Sequence, residues 1–484
     1  MFFRTKKAAP IPAPFSELTQ WIVPERLVTD PGELRVYECD GFPLHKEKPT
    51  LVALCESRDE VIAIVRWCHQ QGIPFVPRGA GTGLSGGATP VPGGIVIDLN
   101  RMRRIHEVDV ENRYAVVEPG VVNIKITEAA AEHGFHYAPD PSSQRACTIG
   151  GNVAENAGGP HCLKYGMTTD HILGLEVVLP TGETVRLGGP QADPAGYDAV
   201  GLFVGTEGTF GVVTEITVKL LPSASSVRTF LAIFESMSLA CRTVAEITRE
   251  GIVPAALEIL DELTIKAVEA SVYSAGYPQN AAAVLLIEID GFEASLDEEQ
   301  QQIQTIVDNN QAIDFQIANN EVERMKLWRA RKGAFGALGR INTDLYILDG
   351  VVPRTVLEPV LEELYEIADR HRVTLSNVFH AGDGNLHPNI SYDGRDEDER
   401  GRVIAAGHEI LAACVRAGGS ISGEHGIGVE KMEFMPLLFS PEDLDLQRDL
   451  RSAVDPKSLS NPGKLFPDAR SCVESGPKHH TVEL

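Results

Sequence analysis

Pro77-Arg-Gly-Ala-Gly-Thr-Gly-Leu-Ser-Gly-Gly87 contains a formal G-x-G-x-x-G, at Gly81, Gly83 and Gly86. In a Rossmann dinucleotide-binding unit that pattern follows a strand and opens a helix. A strand-like segment, residues 73–77, does precede it here. Thr89-Pro-Val-Pro-Gly-Gly94 and a second strand-like segment, 94–99, follow instead of a helix. That context rejects the Rossmann reading. What remains is backbone free to take positive φ at several positions. Such a loop can turn its N–H groups toward a phosphate with no side chain in the way.

Two further small-residue clusters lie downstream. The first is Ala138-Pro-Asp-Pro-Ser-Ser143 with Thr148-Ile-Gly-Gly-Asn-Val-Ala-Glu-Asn-Ala-Gly-Gly159, and the second is Gly205-Thr-Glu-Gly-Thr-Phe-Gly211. Each alone reads as a tight turn. Together they read as backbone that a flat or charged ligand can approach. Around them, Ser57 and Glu60 form an S-x-x-E capping box before a helix that Gly72 and Pro74 end. Strands are expected at 114–118 and 210–220, a helix at 124–133, and a hairpin of 173–179 with 183–187 about Thr181-Gly182. Beyond Pro222, strand-like 283–289 and 315–318 alternate with helical stretches near 292–309, 320–332 and 355–371, an α+β pattern. Strands at 373–379 and 386–391 and a helix near 397–417 follow. Residues 468–484 are polar and read as a flexible tail.

The chain has 484 residues, with 43 Lys and Arg against 68 Asp and Glu, a formal charge of −25. So acidic a balance argues against a nucleic-acid partner, which needs a basic footprint. The eight cysteines contain no C-x-x-C pair, so a zinc-ribbon or iron–sulfur centre has no support. MFFRTKK lacks an apolar h-region, and no uncharged apolar run nears the ~18 residues of a membrane span. Reduced thiols in a cytoplasmic protein are expected. Peripheral association with the membrane's inner face and a homodimer both stay open.

A second constellation carries chemistry. Phe379-His-Ala-Gly-Asp-Gly-Asn-Leu-His-Pro388 sets His380 and His387 either side of a glycine-rich turn, so a hairpin would aim both imidazoles at one point. Ser420-Ile-Ser-Gly-Glu-His-Gly-Ile-Gly428 sets Glu424 beside His425. Two histidines and a carboxylate make a three-ligand set with open positions, suited to Zn, Mn or Fe.

With PRGAGTGLSGG, YAPDPSSQ, GGNVAENAGGPHCLKYG and GTEGTFGVVTE in place, the chain resembles a known flavoenzyme family over residues 37–467. That family comprises the catalytic flavin chain of glycolate oxidase and the FAD-dependent D-lactate dehydrogenases. The resemblance implies an α+β fold. A two-part FAD-binding domain of the vanillyl-alcohol-oxidase type would fill 47–222, after an N-terminal arm and helix at 1–46. A ferredoxin-like α+β substrate domain with a metal site would span 223–430, and residues 431–467 would return to the flavin.

Carried over by motif, Arg78, Gly79, Ala80, Gly81, Thr82, Gly83, Leu84, Ser85, Pro141, Ser142 and Ser143 would hold the pyrophosphate. Gly150, Gly151, Asn152, Asn156, Gly208, Gly211, Val212, Val213 and Asn461 would contact the rest of FAD. Some relatives attach flavin through a histidine after this turn; residues 79–83 have none, so FAD is expected to be non-covalent. His380, His387 and Glu424 carry over as divalent-metal ligands, His425 as catalytic base and Arg331 as the cation for the substrate carboxylate. Related hydroxyglutarate enzymes have a lysine where Ile347 stands here. The expected substrate is therefore a small D-2-hydroxy monocarboxylate, glycolate or D-lactate. Electrons would pass to a quinone, a cytochrome or a separate iron–sulfur subunit. The rivals are D-2-hydroxyglutarate oxidation, an oxygen-using oxidase, and a non-catalytic flavin subunit.

Overall fold

The computed structural model describes residues 11–191, 195–278 and 280–467. The expected tail at 468–484 and the opening residues 1–10 lie outside that range. The first half forms two sheets. One orders Leu27–Val28, Leu51–Leu54, Ile95–Asp98 and Phe75–Arg78, with parallel pairing among the last three. The other orders Ile105–Asp109, Tyr114–Val117, Val212–Lys219, Ile172–Val178 and Thr184–Gly188, all antiparallel. Strand Phe75–Arg78 runs into the glycine-rich loop and no helix intervenes before Ile95, as the prolines required.

The capping signal is half realised. Ser57 Oγ accepts from Glu60 N, opening helix Arg58–Gln71, which ends at Gly72 with φ +67°. The Glu60 carboxylate instead accepts from Glu56 N at 2.8 Å and binds Arg26. A full cation is a stronger partner than a second backbone N–H. The run from Thr148 is not a turn. It opens helix Ile149–Glu155. A Cβ on Gly150 would meet Pro119 O at 2.9 Å, so glycine lets this helix sit directly on neighbouring backbone.

The second half builds one large sheet. Its first four strands stand in the order Asp314–Ile317, Ser226–Phe234, Ala283–Gly291, Ala256–Asp261. With helices Met237–Arg249 and Glu293–Asn309 this is the ferredoxin-like βαββαβ order. Ser226–Phe234 and Ala256–Asp261 escape sequence reading because apolar runs buried on both faces lose the two-residue alternation. The sheet continues through Thr374–His380, which pairs with both Ala256–Asp261 and Pro388–Tyr392. The chain then returns to the first half: Phe75 N donates to Leu459 O at 2.9 Å and Asn461 N donates to Phe75 O at 2.8 Å. Among the described residues no helix is long and apolar enough to cross a membrane.

Candidate active site

A cavity of about 410 Å³ is walled by the 77–88 loop, helix Ile149–Glu155 and the 206–213 turn. From the second half of the chain Lys332, Phe335, Ile347, His387, Glu424 and His425 join the wall. Arg78, Gly79, Ala80, Gly81, Thr82, Gly83, Leu84, Pro141, Ser142, Ser143, Gly150, Gly151, Asn152, Gly208, Gly211 and Val213 all line it. Thr148 Oγ1, also in the wall, is buried without a hydrogen-bond partner. The volume that a Cβ would fill at Gly83 and Gly151 is open, with no backbone within 4 Å. Free backbone, small residues and an orphaned hydroxyl fit an extended dinucleotide such as FAD.

Four expected contacts are not in this wall. Ser85 is fully buried, and its carbonyl accepts from Val429 N and Glu430 N. Asn156 closes the 149–155 helix at φ +53°, and its Oδ1 accepts from Thr169 N. Val212 points into the apolar core, since side chains alternate along a strand and Gly211 and Val213 take the cavity side. Asn461 donates its amide to Gly87 O and Glu207 O. Arg78 lines the cavity, yet its guanidinium turns away to donate to Cys39 O and Ala88 O. The groups left facing the cavity on this side are backbone N–H groups and hydroxyls.

The hairpin brings the His380 and His387 rings 5.0 Å apart. Their Nε2 atoms lie 3.4 and 3.2 Å from Glu424 Oε1. His380 Nδ1 meets Glu258 Oε1 at 2.7 Å, and His387 Nδ1 meets Leu348 O at 3.4 Å. Each ring is thus oriented from behind, leaving Nε2 turned to the shared point, the arrangement of histidines that hold a metal. Burial opposes charge at this point. Even so, Glu258 and Glu424 hold His380 well above the usual histidine range, and His380 and His387 hold Glu424 well below the carboxylate range. A cluster that draws a proton this strongly offers the same attraction to a cation, and the donor set suits a divalent one.

His425 stacks on His387 with the rings 5.0 Å apart and 3° from parallel. Its Nδ1 is buried with no partner. Burial, helped by His387 and Lys431 and opposed by Asp349, pulls it down to about 4. It is neutral at pH 7.

Arg331 departs from expectation. Its guanidinium is 2% exposed and ion-paired with the buried Glu258 at 2.5 Å, behind His380, and it does not line the cavity. Helix Glu321–Lys332 turns Arg331 toward the sheet, whereas the next residue, Lys332, lies on the cavity wall 3.3 Å from Asp140.

Three residues escaped sequence reading. Asp349 Oδ2 accepts from Gly423 N at 2.9 Å, Glu424 N at 3.1 Å, His425 N at 2.9 Å and Ser422 Oγ at 2.7 Å. Lys431, fully buried, reaches the same carboxylate at 3.3 Å. Glu207 accepts from Ile427 N and Gly428 N at 2.7 and 2.8 Å, and burial pushes its carboxyl up to about 7. The loop that carries Glu424 and His425 is therefore held at both ends. The available signal was an acid closing an apolar strand, Leu345-Tyr-Ile-Leu-Asp349.

Two family profiles match: the FAD binding domain over residues 49–188 and the C-terminal domain of FAD linked oxidases over residues 223–465. Glycolate oxidase subunit GlcD of Escherichia coli is 45% identical over 455 residues, 94% of this chain and 91% of that one. The chain belongs to the FAD-linked oxidases. Another member of this oxidase family, D-lactate dehydrogenase of Anaerostipes hadrus, is 33% identical over 92% of this chain and 95% of its own. The solved structure of p-cresol methylhydroxylase matches with a TM-score of 0.79 at 17% identity, covering 94% of this chain and 96% of that one. At that identity the likeness speaks to fold alone, and it is the two-part FAD-binding fold that the family resemblance implied. As an FAD-linked oxidase, the protein is an FAD-dependent oxidoreductase.

Proposed function

We propose that this FAD-linked oxidase oxidises a small D-2-hydroxy monocarboxylate, glycolate or D-lactate, to the 2-oxo acid. In this reading FAD is held non-covalently and a divalent metal is held by His380, His387 and Glu424. The carrying observation is that His387 and Glu424 of this convergent donor set share one wall of the FAD cavity with a neutral His425. The names of the relatives support the substrate class and the D configuration.

Bound FAD would supply the two-electron acceptor, and a divalent ion in the donor set would supply Lewis acidity at the substrate hydroxyl. The protein's own residues do the rest. His425, uncharged and facing the cavity, takes the hydroxyl proton. Glu258 and Arg331 position His380, and Asp349 with Glu207 positions the loop bearing the base. Lys332 offers the carboxylate a cation. Phe335 and Ile347 form an apolar wall that excludes water and leaves a second carboxylate unpaired. One relative's name as a subunit supports a separate partner chain, and another's name as a dehydrogenase supports an external acceptor over oxygen: a quinone, a cytochrome or a separate iron–sulfur subunit.

Anaerobic flavin bleaching by glycolate, both lactate enantiomers and D-2-hydroxyglutarate tests this reading. D-Lactate or glycolate bleaches the flavin and L-lactate does not. Bleaching by none of the four overturns the reading. Slow reoxidation in air, without steady peroxide release, distinguishes the dehydrogenase from an oxidase. Dialysis against a chelator lowers the bleaching rate by about 10²-fold or more, since several kcal/mol of charge stabilisation is lost, and Zn or Mn restores it. Unchanged bleaching after the metal content falls to zero removes the metal from the mechanism. Ile347→Lys adds one charged hydrogen-bond partner, so it raises kcat/KM for D-2-hydroxyglutarate over D-lactate by about tenfold. An unchanged ratio would show that Ile347 does not set chain length.

A further inference from the structure

A second cavity, of about 830 Å³, lies where residues 142–146 of the FAD domain face helix Glu321–Lys332. It shares Ser142, Ser143 and Lys332 with the FAD cavity, so the two adjoin. In a chain of formal charge −25 its wall is basic: Arg145, His161, Arg324, Lys326, Arg329 and Lys332 line it, and no aspartate or glutamate does. Glu321 and Glu323, on the first turn of the same helix, are exposed and lie outside the wall. Burial disfavours charge on His161, yet Asp140 at 2.9 Å and Glu288 at 3.4 Å lift it to about 10. Arg324 and Lys332 are held by those same two acids. Among the described residues Arg145 and Lys326 make no hydrogen bond or ion pair, although both are exposed and face this space.

We propose that this cavity is an anion-gathering vestibule, through which a small carboxylate reaches the inner site. The inference rests on the functional reading above. A chain of formal charge −25 would otherwise repel an anionic substrate. A cleft lined by one sign of charge focuses the field and raises the local concentration of the opposite ion. Lys332, on the walls of both cavities, stands at their common boundary.

The test uses the holoenzyme and oxalate, a dianion with no carbinol hydrogen to lose, with binding read by calorimetry. In Arg145→Glu/Lys326→Glu both altered residues are exposed and outside the FAD cavity wall. At ionic strength of about 20 mM, oxalate binds this variant roughly fivefold to tenfold more weakly than wild type, and by about 0.5 M the difference disappears. With D-lactate, the concentration needed for half-maximal bleaching rises in parallel while the limiting bleaching rate holds. Arg145→Gln/Lys326→Gln gives about half the logarithmic effect. Equal oxalate binding by variant and wild type at low salt overturns the vestibule. So does a loss that is the same at both salt levels, or a wild type that binds no oxalate. A variant that binds oxalate normally but passes electrons more slowly to an acidic acceptor protein would assign the surface to that partner instead. Salt-dependent oxalate binding alongside no bleaching by any hydroxy acid would keep the vestibule and discard the substrate assignment.

Discussion

His425→Ala slows anaerobic flavin bleaching by about 10²–10⁴-fold, the range that a positioned general base contributes. The ring sits on the FAD cavity wall, stacked on His387. Its backbone N–H is fixed by Asp349, so removing the imidazole leaves the loop's anchor in place. The flavin spectrum and metal content should therefore match wild type while the rate collapses. The pH profile carries the same signature. Burial holds His425 near 4, so the neutral, proton-accepting form is already complete at pH 7 and persists on acidification until close to that value. The limiting bleaching rate is accordingly level between pH 6 and 8, and falls only as pH approaches about 4. The idea fails if the variant bleaches at the wild-type rate, or if the wild-type rate titrates with an ordinary histidine midpoint near 6.5.

Asp349→Ala is expected to destabilise the fold by about 3–5 kcal/mol, because it takes the nearer carboxylate from a buried cation. Lys431 is fully buried, and its other contacts are Ser422 Oγ at 3.3 Å, Gly426 O at 3.0 Å and, farther off at 3.7 Å, the Glu430 carboxyl, which burial pushes up to about 7. The N–H groups of Gly423, Glu424 and His425 lose their acceptor at the same time. Chemical denaturation measures the loss. Asp349→Asn keeps one carbonyl acceptor and should lose less. The acid limb follows with a definite sign. Burial works against the Asp349 carboxylate, but His425, Lys431 and His387 hold it below its ordinary value of 3.8. Its contribution is thus complete above that unfolded value and is lost as pH falls below it. A loss under about 1 kcal/mol in Asp349→Ala would show that Lys431 is satisfied without it, since an unpaired buried charge costs more than that.

The two largest effects fall on residues with different legibility. His425 stood out in sequence because a Glu-His pair framed by glycines is a local pattern. Asp349 did not, because its partners lie 73–82 positions away. The same divide runs through the substrate end. Leu327-Trp-Arg-Ala-Arg331 announced a cation on a helix, but one residue of helical rotation decides between Arg331, facing Glu258, and Lys332, facing the cavity. Pattern and spacing cannot set that rotation; the sheet against which the helix lies does.

The glycine-rich loop, the prolines after it and the two-histidine hairpin were determined by the sequence itself. Positive-φ capacity, missing N–H groups and turn spacing act over a few residues. Tertiary structure alone decided that Ser85, Asn156, Val212 and Asn461 brace the cavity from outside. It alone decided that Glu258 aims His380, that Asp349 and Glu207 hold the loop of Glu424 and His425, and that six basic groups line one cavity. Each of those outcomes is a buried charge or polar group finding its partner across the fold. Burial makes such pairing obligatory, but only the packed elements choose the partner.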